Sequence, residues 1–65
     1  MNDKIKALAE AIIAEKRNLL KEIELFGEEH DITIRRLNKI FGMEEAFAII
    51  AEQDFTDYIL DKQRK

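Results

Sequence analysis

The chain has 65 residues, with 11 Lys and Arg against 14 Asp and Glu, a formal net charge of −3, and no Cys or Pro. A chain of this length forms at most one domain and buries only about 60% of the surface that its unfolded form exposes. The lack of Cys excludes disulfides, a single His argues against a zinc site, and the weakly negative charge gives no broad attraction to nucleic acid.

The composition predicts an all-α fold, because strong helix formers dominate, Pro is absent and only two Gly occur. We expect a single small helical domain over residues 1–65, with one long N-terminal amphipathic helix followed by two or three short helices. Small chains without disulfides or metals commonly gain stability by self-association, so we also expect a helical homodimer.

The long helix is predicted over about residues 3–30, from Asp3 to His30. At 3.6 residues per turn, one side of it is mostly apolar, and charged residues fall elsewhere. We expect this stripe to form a partner or dimer interface that contains Ile5, Leu8, Ile12, Lys16, Leu19, Ile23 and Phe26.

Lys16 interrupts the stripe near its centre, and two interpretations of it are open. Its methylenes can lie along the apolar surface while the ammonium stays in water. Alternatively, it faces Glu15 or another carboxylate across a two-fold dimer and fixes the register.

The remaining helices are predicted over residues 32–41, 43–53 and 56–63. Gly27 can end the long helix, Asp31 or Thr33 can cap the next one, and Gly42 is placed to end that helix. The apolar stripe drifts in the last part of the chain, which predicts a break around residues 53–56.

The stretch from Ile34 to Ala51 resembles the helix-turn-helix motif. The positions that the motif uses for packing and for its turn are filled by Leu37, Gly42, Met43, Ala48 and Ala51. The resemblance implies two short helices joined at Gly42, the second of which would enter the major groove of DNA.

The outward positions of that second helix carry Glu44 and Glu45, whose charges would repel a duplex. Ile49 and Ile50 lie on the same outward side, which favours a protein-binding surface or a dimer contact.

A second interpretation takes residues 32–35 as a short strand similar to the ribbon of ribbon-helix-helix repressors, a family of dimeric DNA-binding regulators. In either DNA-binding interpretation, the residues expected to contact nucleic acid are Thr33, Arg35, Arg36 and Lys39.

The chain has few residues that could act as a catalytic nucleophile, because Ser and Cys are absent and neither Thr stands next to a base in a recognisable motif. We expect no catalytic residues, no metal site and no cofactor. No apolar run approaches the ~20 residues of a membrane span and no signal-peptide pattern is present, so a cytoplasmic location is expected.

The sequence thus favours a non-enzymatic regulator, such as an inhibitor, adaptor or antirepressor, that binds a protein partner. The alternative is a small dimeric DNA-binding transcriptional regulator.

Overall fold

Three α-helices form the fold in the computed structural model, which describes residues 2–63. Helix α1 spans Asn2–Phe26, α2 spans Asp31–Ala51 and α3 spans Phe55–Gln63. No strand occurs in residues 2–63, so the predicted all-α class is confirmed. Residue 1 and residues 64–65 of the predicted domain lie outside the described residues.

Gly27 ends the first helix and starts the turn toward α2. Its φ of +86° lies in the left-handed region, which glycine adopts without steric cost. Its backbone N–H donates to the carbonyl of Ile23 at 2.9 Å. The helix therefore stops at Phe26 instead of continuing to residue 30, the end that the stripe predicted.

His30 is the N-cap of α2, a role that the sequence had suggested for Asp31 or Thr33. Its backbone is extended, and its Nδ1 accepts a hydrogen bond from the backbone N–H of Ile32 at 3.1 Å. The imidazole thereby satisfies one of the donors that every helix leaves unpaired at its start.

Helix α2 is a single helix of 21 residues that passes through Gly42. The predicted division into helices over 32–41 and 43–53 is wrong, and the helix-turn-helix resemblance fails with it. The buried residues Thr33, Ile40 and Phe47 are seven positions apart and share one face. Burial of Phe47 on that face outweighs the cost of about 1 kcal/mol that a glycine adds to a helix interior.

Residues 32–35 belong to the first turns of α2. The strand that the ribbon-helix-helix interpretation requires is therefore absent from this segment.

A second turn separates α2 from α3, close to the predicted break. Glu52 caps α2 with a left-handed backbone (φ 55°, ψ 34°). The carbonyl of Asp54 accepts the first bond of α3, from the N–H of Tyr58 at 3.0 Å. Helix α3 thus begins at Phe55, one residue before the predicted start.

The hydrophobic core lies at the end of the α1–α2 hairpin that is far from the first turn. Phe47 is fully buried, with its ring centroid 5.5 Å from Phe55 and 5.1 Å from Tyr58 in edge-to-face geometry. Ala9 and Ile12 complete the buried cluster from α1. All three helices meet only at this end of the molecule.

Replacing Phe47 by Ala should lower the free energy of unfolding by about 3–5 kcal/mol, because it removes a fully buried aromatic side chain at the point where the three helices meet. Urea unfolding followed by circular dichroism measures this change. Ile49→Ala, at a position that is 73% exposed, serves as the control and should change stability by less than about 0.5 kcal/mol. Equal losses for the two variants would contradict the core assignment.

The two glycines predict opposite responses to alanine. Gly42→Ala should stabilise the chain by roughly 0.5–1 kcal/mol, because Gly42 lies inside α2 and an added Cβ would meet nothing within 4 Å. Gly27→Ala should destabilise it, because its positive φ strains any residue with a Cβ. Thermal unfolding of both variants tests the continuity of α2, and destabilisation by Gly42→Ala would indicate a turn there.

Candidate functional site

Helix α3 lies along one side of the α1–α2 hairpin and covers only part of its length. A shallow cleft between α1 and α3 is lined by Ala9 and Ile13 on one side and by Tyr58 and Ile59 on the other. The start of α3 lies at Lys16, whose ammonium is 5.0 Å from the centre of the Phe55 ring. Residues 17–26 of α1, roughly 15 Å at the helical rise, therefore extend beyond α3.

The uncovered part of this side is apolar. Leu20 follows Ile13 by seven residues on α1 and so continues the face on which α3 lies. On α2, Ala48 and Glu44 line a cleft with Phe55. Phe41 and Leu37 precede these two residues by seven positions and therefore continue the same face of α2.

We call this surface the open groove; its side chains, all exposed, are Leu20, Ile34, Leu37 and Phe41. Leu20 is 63% exposed and Phe41 is 57% exposed. Ten large hydrophobic residues are exposed in the part of the chain that the structure describes. Seven of them lie between positions 20 and 41, so the exposed apolar surface is concentrated near the first turn.

Most of the stripe predicted as an interface is instead covered by the chain's own helices. Ile12 is fully buried beside Phe47 and Phe55. Four further residues of the predicted stripe are half-buried: Ile5, Leu8, Leu19 and Ile23. Because α2 and α3 already cover Ile12, the expectation that another chain must cover the stripe does not hold for this residue.

Three of the predicted interface residues remain exposed. Phe26, at the end of α1, packs its ring 4.9 Å from that of His30. Ile49 and Ile50 point away from the core on the last turns of α2. These two form an outer apolar patch that is separate from the open groove.

Lys16 finds its partner within the chain. Its Nζ lies 2.8 Å from a carboxylate oxygen of Glu44 on α2, and its ammonium lies against the Phe55 ring. The cross-dimer pairing considered for Lys16 is not needed to satisfy its charge.

An ion-pair cluster joins α1 to α2 on the side opposite the open groove. Arg36 binds both carboxylate oxygens of Glu22, each at 2.9 Å, and also pairs with Glu15. Lys39 pairs with the other oxygen of Glu15 at 2.6 Å. This cluster fixes the two helices side by side where the apolar core is thin.

The cluster shifts the acidities of its members. Hydrogen bonds from Lys39 and Arg36 hold the pKa of Glu15 below its ordinary value of 4.5. The Arg36 guanidinium does the same to the pKa of Glu22. The two carboxylates, Glu22 first and then Glu15, raise the pKa of Arg36 further, so Glu15, Glu22 and Arg36 stay charged at neutral pH.

The residues predicted to contact nucleic acid are mostly engaged in the fold. Thr33 is buried, and its hydroxyl donates to the carbonyl of Gly27 at 2.8 Å. Arg36 and Lys39 are held by the carboxylates of α1, while Arg35 is exposed. The fold does not gather the four side chains into one free basic surface.

The large apolar residues in the first half of α2, which are Ile34, Leu37, Ile40 and Phe41, lie on two different faces of the helix. Ile40 turns toward α1 and is buried, whereas the other three line the open groove. The signal that distinguishes them is the seven-residue spacing of Thr33, Ile40 and Phe47, which becomes visible only when α2 is one continuous helix.

Among residues 2–63, no group of three or more His, Cys, Asp or Glu side chains is arranged to hold a metal ion. None of the described helices combines the length and apolar character needed to cross a bilayer. Comparisons with protein-family models, with characterised proteins and with solved structures give no match to this chain.

Acid should weaken the fold through the ion-pair cluster. Because the pKa values of Glu15 and Glu22 are lowered in the folded chain, their pairs stabilise it above pH 4.5, and this contribution is lost as the pH falls below that value toward the folded pKa. Urea unfolding between neutral and acidic pH should show a decline that the Glu15→Gln/Glu22→Gln variant shares only in part. A variant profile that falls in parallel with the wild type would contradict this role.

Proposed function

We propose that the chain is a small non-enzymatic regulator that acts by docking an apolar helical surface on another protein molecule, as an inhibitor, adaptor or antirepressor does. The observation that carries this proposal is the open groove. Its four large side chains stay in contact with water although α3 covers the continuation of the same face. Burial of such side chains provides roughly 1.5–3 kcal/mol each, which makes the surface a strong candidate for association.

The shape of the molecule supports the same proposal. Its radius of gyration is 12.9 Å and its principal extents are 37 × 23 × 16 Å, whereas a compact domain of this length has a radius of gyration of about 11 Å. An elongated hairpin with a partial third layer leaves apolar surface that a second protein can cover.

The arrangement of charged groups supports binding rather than catalysis. Titratable side chains of α1 and α2 pair with opposite charges across the two helices: Arg36 with Glu15 and Glu22, Lys39 with Glu15, and Lys16 with Glu44. These pairs lower the pKa values of Glu15 and Glu22, so the two carboxylates are not poised to accept a proton from a substrate near neutral pH.

Nucleic-acid binding gains no support from the described residues. Its candidate contacts Thr33, Arg36 and Lys39 are buried or paired. The open groove is lined by apolar side chains, which offer phosphate groups no positive charge.

A pull-down with the tagged chain in lysate from its native host tests the proposal, with mass spectrometry to identify the retained protein. The wild type should retain a protein that Leu37→Asp loses, because a carboxylate in the groove would be buried without a partner. Leu60→Asp is the matched control, since Leu60 is exposed on α3 to a similar degree (49% against 37% for Leu37). Circular dichroism checks that both variants keep their helices.

Retention of the same proteins by the wild type and by Leu37→Asp would contradict the groove as the docking surface. Retention of no protein by the wild type would contradict the interaction function itself.

A further inference from the structure

We infer that the open groove is filled by the open groove of a second copy of this chain, the two copies being related by a two-fold axis perpendicular to the helices. In this arrangement α1 packs antiparallel to the α1 of the second copy, and α2 packs antiparallel to its α2. The inference rests on the proposed function and names the occupant of the same surface.

The amount of exposed surface fits a dimer of this kind. A compact protein of 7.7 kDa has an accessible surface of about 4,300 Å², whereas this chain has 5240 Å². The excess of roughly 900 Å² is close to the ~800 Å² that each partner buries in a standard interface. The surface that this chain exposes beyond that of a compact chain is therefore of the size that one additional copy buries.

The position of α3 selects the antiparallel arrangement. If the two copies faced each other with both first turns at the same end, α3 would meet α3 and hold the grooves apart by about one helix diameter, ~10 Å. In the antiparallel arrangement, each α3 lies beyond the first turn of the other copy. The first turn of each copy then fills the step where the other copy's α3 begins, at Phe55 beside Lys16.

The apolar residues of α2 are self-complementary about the same axis. Ile34, Leu37 and Phe41 are spaced so that, with the axis between Leu37 and Asn38, Ile34 of one copy lies opposite Phe41 of the other. The two Leu37 side chains meet at the centre. A large aromatic ring is thus matched with a smaller aliphatic side chain on both sides of the axis, as packing of facing helices requires.

The charges along the outer edge of α1 complement one another about the same centre. Antiparallel pairing centred near residue 22 places Lys21 of each copy opposite Glu24 of the other, and Arg17 opposite the acidic turn at Glu28 and Glu29. None of these side chains forms an ion pair with another described residue of its own chain. The charge pattern therefore favours the antiparallel register.

The centre of the charge pattern on α1 and the centre of the apolar pattern on α2 lie side by side in the folded chain. The pair between Glu22 and Arg36 places the middle of the uncovered part of α1 beside residues 36–38 of α2. The axis located from the charges of α1 is thus the axis located from the apolar residues of α2. The outer patch of Ile49 and Ile50 stays exposed on each copy, so the dimer presents it twice.

Sedimentation equilibrium of the full chain tests the self-association. The wild type should have twice the chain mass, and Leu37→Asp should raise the dissociation constant by more than about a hundredfold, because two carboxylates would be buried together at the axis. Leu60→Asp should leave the dimer intact.

Disulfide trapping tests the register, because the chain has no Cys of its own. Leu37→Cys should cross-link to itself under mild oxidation, since its two copies face each other at the axis. An equimolar mixture of Ile34→Cys and Phe41→Cys should give the mixed disulfide in preference to either homodimer, with Leu60→Cys as the unreactive control. A dimer that lacks the mixed product would overturn the antiparallel arrangement.

The outcome separates this inference from the proposed function. A monomeric wild type that still retains a different protein through Leu37 would overturn the self-association and leave the regulatory binding function standing. A monomeric wild type that retains nothing would overturn both.

Discussion

The third helix is too short for the hairpin on which it packs, and this mismatch governs the rest of the structure. Helix α1 has 25 residues and α3 has nine, so a third layer exists only at the end where Phe47, Phe55 and Ile12 meet. At that end the chain has a conventional core. At the other end two helices pack as a pair, and apolar side chains remain in contact with water.

The two ends of the hairpin are held together by different interactions. Around Phe47 the stabilisation comes from buried apolar surface and edge-to-face ring contacts. Near the first turn, the buried residues are Thr33 and Ile40, and the bidentate pair of Arg36 with Glu22 joins the helices. Directional hydrogen bonds can fix the relative position of two helices without enclosing them, and so the neighbouring face stays open.

The separation of the ion-pair cluster from the open groove connects the fold to the proposed regulatory role. The ion-pair cluster of Arg36, Lys39, Glu15 and Glu22 lies on one side of the α1–α2 pair, whereas the open groove lies on the side along which α3 runs. A protein that covers the groove therefore meets apolar side chains on a preformed backbone, which limits the ordering cost of association. The Ile49–Ile50 patch is a second exposed apolar feature, on the last turns of α2, and it remains available when the groove is occupied.

The sequence by itself determined the helical class, the apolar stripe of α1 and a break around residues 53–56, close to the observed turn between α2 and α3. It offered Gly27 as one possible end of α1, although the predicted helix ran to residue 30. Each of these follows from local properties: the absence of Pro, the spacing of apolar residues and the conformational freedom of glycine. For the candidate site, the sequence identified Ile49 and Ile50 as exposed, but it did not identify the open groove.

Only the tertiary structure decided that α2 continues through Gly42, that Ile40 turns inward while Phe41 turns outward, and that Arg36 and Lys39 pair with carboxylates of α1. The physical reason is that tertiary packing contributes more free energy than the local conformational preference of a glycine. A glycine changes helix stability by about 1 kcal/mol, whereas burial of a Phe side chain contributes roughly 1.5–3 kcal/mol, so packing against α1 overrides the local signal. Which apolar residues stay in water depends on where α3 begins and how far it extends, and this is set by its contacts with α1 and α2 rather than by any local pattern.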